Sequence, residues 1–158
     1  MPLRPVLYAE DEANDAFLMQ RAFLKAGVSN PLQIVVDGAA AIQYLSGTGE
    51  FSDRKQHPSP CLLLLDLNLP RQSGLEVLQW ARDQPALRTL PIVMLTSSSQ
   101  DRDIGSAYAL GANGYLVKPP GSEKLIELVT GLRNVCLAPN ARTEGWLDLK
   151  GNQPPPRT

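Results

Sequence analysis

Several things are scarce in this chain. Histidine occurs once, as His57, and cysteine twice, as Cys61 and Cys136, far apart and without C-x-x-C spacing. A His/Cys metal site, a redox pair and a disulfide framework therefore have no basis, and two reduced, buried thiols are expected. An excess of one charge is lacking too: charged residues make up 20% of the sequence and the formal net charge is −1, which leaves no electrostatic footprint for nucleic acid. The longest uninterrupted apolar run, Cys61 to Leu65, is far short of the roughly 20 residues of a membrane span, and the amino-terminal residues carry no basic-then-apolar signal pattern. A cytoplasmic protein with neither a membrane nor a nucleic-acid partner is expected.

What is present is alternation. Five times an apolar, strand-like segment is followed by one of helical period: 3–9 then 12–26, 32–36 then 38–47, 61–66 then 73–83, 91–96 then 100–110, and 114–117 then 122–135. In the first helical segment Leu18, Met19, Ala22, Phe23 and Ala26 recur at three-to-four spacing before Gly27. Strands that are apolar throughout belong to a parallel sheet covered on both faces by helices. The reading is an α/β fold, a (βα)5 doubly wound five-stranded parallel sheet in a domain spanning residues 1–138. Residues 139–158, with Pro154-Pro155-Pro156, read as a tail. The long connection 47–60 reads as a solvated loop and His57 as an ordinary loop residue.

In a doubly wound sheet, ligands bind beyond the carboxyl ends of the strands. Glu10 and Asp11 follow the first strand, Asp66 ends the third, Thr96 the fourth and Lys118 the fifth, whereas Asp37-Gly38, at the end of strand two, reads as a helix cap. Facing carboxylates repel by about 3 to 4 kcal/mol per close pair at an effective dielectric near 20. A hard cation such as Mg²⁺, or Mn²⁺ in its place, answers that cost, and Lys118 adds positive charge. Asp66, on a rigid apolar strand, is the carboxylate placed to attack phosphorus and form an acyl phosphate, with Thr96 and Lys118 on the phosphoryl oxygens.

These residues, in "YAEDE", "LLLLDLNLP" with Gly74, "IVMLTSSS" and "GYLVKPP", resemble the CheY-like receiver domain of bacterial response regulators over about residues 3–137. The resemblance implies a flavodoxin-like sheet ordered 2-1-3-4-5. It implies Asp66 as the phosphorylation site, and Glu10, Asp11, Asp66 and the Asn68 carbonyl as the metal site. Thr96, Ser97, Lys118 and Tyr115 follow as phosphoryl-binding and switch residues, with Ser98 where the family tunes dephosphorylation. It further implies a cis peptide before Pro119, although Pro120 departs from the pattern there. The partner would be a sensor histidine kinase or a histidine phosphotransfer protein. The long 47–60 loop and the want of an output domain are similar to the stand-alone receivers that accompany phytochrome-type kinases. Output would be protein contact, including homodimerisation through helix four, strand five and helix five. Such a receiver is not an enzyme in the ordinary sense, since it catalyses only its own phosphorylation and slow dephosphorylation.

Three rivals have distinct signatures. A haloacid-dehalogenase-like phosphatase would carry a second aspartate two residues after Asp66, where Asn68 cannot shuttle a proton. A flavodoxin-like FMN binder would need a first turn friendly to phosphate, and "AEDEAND" is acidic and free of glycine. A scaffold or dimer working without phosphorylation would have no need of the acids, the hydroxyl and the lysine together.

Overall fold

The computed structural model describes residues 3–97 and 100–137. Five parallel strands, β1 (Val6–Ala9), β2 (Leu32–Val35), β3 (Leu62–Leu65), β4 (Ile92–Thr96) and β5 (Gly114–Val117), form one sheet ordered β2-β1-β3-β4-β5. The helices are α1 (Ala13–Lys25), α2 (Gly38–Ser46), α3 (Gly74–Asp83), α4 (Asp101–Ala109) and α5 (Ser122–Leu132), the last continuing as a wider π-type turn over Arg133–Leu137. This is the (βα)5 flavodoxin-like arrangement expected, and β1, β3 and β4 start later than expected, after Pro5, Pro60 and Pro91, which cannot donate to a ladder.

The run of leucines in β3 is explained by its position: β1 pairs it on one edge and β4 on the other, and helices cover both of its faces. Leu63 and Leu65 enter one core with Val77, Leu78 and Met94 under α2, α3 and α4, while Leu62 and Leu64 enter the other with Met19, Phe23 and Val129 under α1 and α5. All four leucines are inaccessible to solvent. Burying a leucine side chain is worth about 2 kcal/mol, so β3 is a rigid mount for whatever follows it.

Local signals set the helix ends. The Asp37 side chain accepts from the Ala40 N–H, as expected of a cap, and Ser73 with Glu76 forms a reciprocal capping box at the start of α3. Gly47 closes α2 in the left-handed region at φ 69°.

The segment 47–60 is solvent-exposed over most of its length, as expected of a loop, but it is pinned to the core at one point. It contains a turn of 3₁₀ helix over Gly49–Phe51, and Phe51 is buried with its ring 5.0 Å from that of Tyr44. His57 stands edge-on to both rings, Tyr44 Oη donates to the Pro58 carbonyl, and Arg54 donates to the carbonyls of His57 and Leu45 while lying over the Tyr44 ring. Phe51 on the Tyr44 ring, with the hydrogen bonds of Tyr44 and Arg54, holds the segment down. Cys61 is a free thiol, but it is half-buried rather than buried, since it stands ahead of β3 at the sheet's edge of entry. Among the described residues no helix is long and apolar enough to cross a membrane. The expectations for Ser98, for the Cys136 side chain and for the tail 139–158 lie outside the described residues.

Candidate functional site

Glu10 and Asp11 leave the carboxyl end of β1, and Asp66 leaves that of β3 beside it, because Ala9 and Leu65 are in register. Oxygen atoms from the three carboxylates lie within 4.8 Å of one another. Glu10 is 1% exposed and Asp66 6%, whereas Asp11 faces solvent. Lys118, from the end of β5 at the sheet's edge, reaches over β4 into this group. Its ammonium donates to Asp66 Oδ2 at 2.8 Å, to Asp15 Oδ2 at 3.0 Å and to Glu10 Oε1.

The remaining lone pairs are also held. Asp66 Oδ1 accepts from the Asn68 N–H at 3.1 Å, Glu10 Oε1 from Tyr8 Oη at 2.9 Å, and Glu10 Oε2 from the Glu12 N–H at 3.1 Å. The β3-to-α3 turn that presents Asn68 is held tight by Gly74, whose N–H donates to the Leu67 carbonyl. A Cβ added there would stand 2.1 Å from the Asp66 carbonyl oxygen. Only glycine permits that approach.

Titration follows from this crowding. Burial pushes the Glu10 carboxyl above its ordinary value, against the pull of the bonds from Lys118 and the Glu12 N–H. Burial works the other way on Lys118, but its bonds to Asp66, Glu10 and Asp15 outweigh it and hold the ammonium above its ordinary pKa. Lys118 is thus a fixed cation at any physiological pH. The Tyr8 hydroxyl is raised by burial and by its acceptor Glu10, and stays a donor.

The remaining predicted residues divide. Thr96 is fully buried at the end of β4, and its carbonyl accepts from the Lys118 N–H at 2.7 Å, while Ser97 is exposed just beyond it. Tyr115 is inaccessible to solvent, inside the core that contains Leu65, Met94 and Ala107. Asn68 is exposed at the rim. One expectation is corrected: no peptide bond among the described residues is cis, so Lys118–Pro119 is trans. The trans form is the lower by about 0.5 to 1 kcal/mol for X-Pro bonds, and the three acids already orient Lys118 without it.

Two residues escaped the sequence reading. Tyr8 sits two positions before Glu10, on the same face of β1 by strand alternation, and Asp15 lies in the first turn of α1, whose amino end opens over the acids. Both signals were present in the chain, but neither says that one lysine and one carboxylate from other segments would converge on them.

The donor set is all oxygen and carries three negative charges against one fixed ammonium, which suits a hard divalent cation. Glu10, Asp11 and Asp66 are the side chains that fit one.

The model of the response regulator receiver domain matches residues 6–130. The chain belongs to that family. The response regulator Rcp1 of Synechocystis sp. is 35% identical over 136 residues, 86% of this chain and 90% of Rcp1. Among solved structures, the phosphorylated cyanobacterial phytochrome response regulator RcpA superposes with a TM-score of 0.79 at 33% identity, covering 86% of this chain and 95% of RcpA. The Mn²⁺-bound form of Rcp1 superposes at 0.74 and 31% identity, covering 97% and 99%. The receiver is therefore a response regulator of two-component signalling, a signalling protein, and its acidic cluster of Glu10, Asp11 and Asp66 fits a site of aspartyl phosphorylation.

Proposed function

We propose that this receiver, over residues 1–138, accepts a phosphoryl group on Asp66 from the phosphohistidine of a sensor histidine kinase or a phosphotransfer protein. The carrying observation is the bond from Lys118 to Asp66 Oδ2 at 2.8 Å on a carboxylate that a buried strand holds still. An Asp66 oxygen attacks phosphorus, the O–P bond forms, and the P–N bond breaks with its electron pair left on the imidazole nitrogen. Lys118 and the Thr96 hydroxyl, with Ser97 at the rim, receive the equatorial oxygens where charge develops.

A divalent cation, Mg²⁺ or Mn²⁺, held by Asp11, Asp66, the Asn68 carbonyl and Glu10, would neutralise charge between the acceptor and the incoming group. The Mn²⁺-bound form of Rcp1 supports this choice of metal for a similar chain. The similarity to the phytochrome response regulator RcpA supports a phytochrome-type kinase as the donor. The protein would work in the cytoplasm, catalysing only its own phosphorylation and slow dephosphorylation.

Output follows from Thr96 and Tyr115. Movement of Thr96 toward a phosphoryl group leaves room at the end of β4, and a shift of the Tyr115 ring within the core would repack the face of α4, β5 and α5, a surface suited to homodimerisation or to a target protein.

The test is intact mass after incubation with Mg²⁺ and acetyl phosphate. A gain of one phosphoryl group, absent in Asp66→Asn, is the expected result. Steady release of phosphate with no adduct would instead identify a phosphatase, and no reaction at all would leave a scaffold.

A further inference from the structure

Lys118 has no donor left over. An ammonium carries three N–H bonds, and here one goes to Glu10 Oε1, one to Asp15 Oδ2 at 3.0 Å and one to Asp66 Oδ2 at 2.8 Å. A phosphoryl group arriving at Asp66 needs a donor from this lysine on one of its equatorial oxygens, so one of the three bonds has to be exchanged for it.

The three partners differ in what their release costs. The Glu10 side chain is inaccessible to solvent and the Asp66 side chain is 8% exposed, and a buried carboxylate stripped of its cation keeps its desolvation penalty with nothing to offset it. Asp66 is also a full carboxylate until the O–P bond forms, and the bond from Lys118 holds it in place for the attack. Asp15 is the exception. Its side chain is 37% exposed, and an exposed ion pair is the weakest of the three. With Lys118, Pro119 and Gly121 it lines a small open cavity of about 50 Å³, which has room for water to take over its oxygen. Asp15 is not one of the three carboxylates grouped to hold a cation, so freeing it leaves the metal site whole.

We infer that Asp15 is an internal competitor of the phosphoryl group: in the resting chain its carboxylate occupies the Lys118 donor that a phosphoryl oxygen takes, and arrival of the phosphoryl group displaces it into solvent. Asp15 is thus a positioning residue acting through Lys118, and it loosens the hold on the phosphoryl group. The inference rests on Asp66 as the acceptor and adds the acid that sets how readily that acceptor is occupied.

The full chain in Mg²⁺ is titrated calorimetrically with beryllofluoride, a mimic of the phosphoryl group, as parent, as Asp15→Ala and as Glu12→Ala. Glu12 is the control: it is exposed at the start of α1, its side chain caps nothing, and Lys118 does not bond it. Asp15→Ala should bind about fivefold more tightly, the scale of one exposed ion pair, and Glu12→Ala should stay within about twofold of the parent because solvent and salt screen it. Binding unchanged or weakened in Asp15→Ala overturns the competition, since the exchange then falls on Glu10 or Asp66. Equal tightening in both variants overturns it too, because the effect is then one of net charge and not of a bond. Phosphorylation by acetyl phosphate, followed by intact mass, gives a second reading. The half-saturating concentration should fall in Asp15→Ala while the rate at saturation holds; a fall in the saturating rate alone makes Asp15 an aid in orienting Lys118 and refutes the inference. A parent that takes up neither reagent sinks the acceptor reading and this inference together, whereas a parent that takes up both while Asp15→Ala matches it sinks the competition alone.

Discussion

Lys118 Nζ lies 2.8 Å from Asp66 Oδ2 although 52 residues separate them, and the same ammonium also bonds Glu10 and Asp15. One cation thus holds three acids from three separate segments. Lys118→Met should strip the buried Glu10 and Asp66 of their counter-charge and lower stability by about 3 kcal/mol in metal-free urea melts near neutral pH. Added Mg²⁺ should recover part of that loss. An unchanged midpoint would mean that the acids are solvated enough to do without the lysine.

The pH dependence of stability follows from Glu10. Its folded pKa is raised by burial, so the folded chain holds this proton to higher pH than the unfolded chain, whose carboxyl titrates near its ordinary value of 4.5. Below that value the group costs folding nothing, and stability is lost as pH rises through the folded value. Metal-free Glu10→Gln should therefore be more stable than the parent near neutral pH, with the difference shrinking in acid. Melts in which the variant is equally weakened at both ends of the range would contradict this.

Metal should act as a ligand of the folded state alone. At a concentration of one hundred times its dissociation constant, Mg²⁺ or Mn²⁺ should add about 2.7 kcal/mol to unfolding. Asp11→Asn should abolish most of that gain while leaving the metal-free protein close to the parent, because Asp11 faces solvent. Calorimetric melts with and without the ion decide it, and a gain that survives Asp11→Asn would move the metal off this cluster.

Phe51 probes the connection between α2 and β3. It is 6% exposed and packs on Tyr44 and His57, so Phe51→Ala should cost about 3 kcal/mol. A free loop would lose almost nothing. Urea midpoints of the two proteins separate the cases.

How far the sequence could be read depends on the range of each signal. The pattern that makes β3 apolar throughout and ends it on Asp66 is local, and so are the Asp37 cap, the capping box of Ser73 and Glu76, and the stop at Gly47. Periodicity and capping operate within a few residues, and they suffice to specify five strands, five helices and the sheet end at which Glu10, Asp11, Asp66, Thr96 and Lys118 emerge.

Contacts between segments were beyond that range. That Lys118 reaches Asp15, that Tyr8 donates to Glu10, and that Phe51 and His57 close onto Tyr44 depend on where separate elements come to lie once packed. The trans bond before Pro119 likewise reflects a small local preference that the surroundings either keep or overturn. Order along the chain was therefore determined by the sequence itself through short-range pattern. Which charges meet was decided only by tertiary structure, because parallel strands bring together residues that share no local signal.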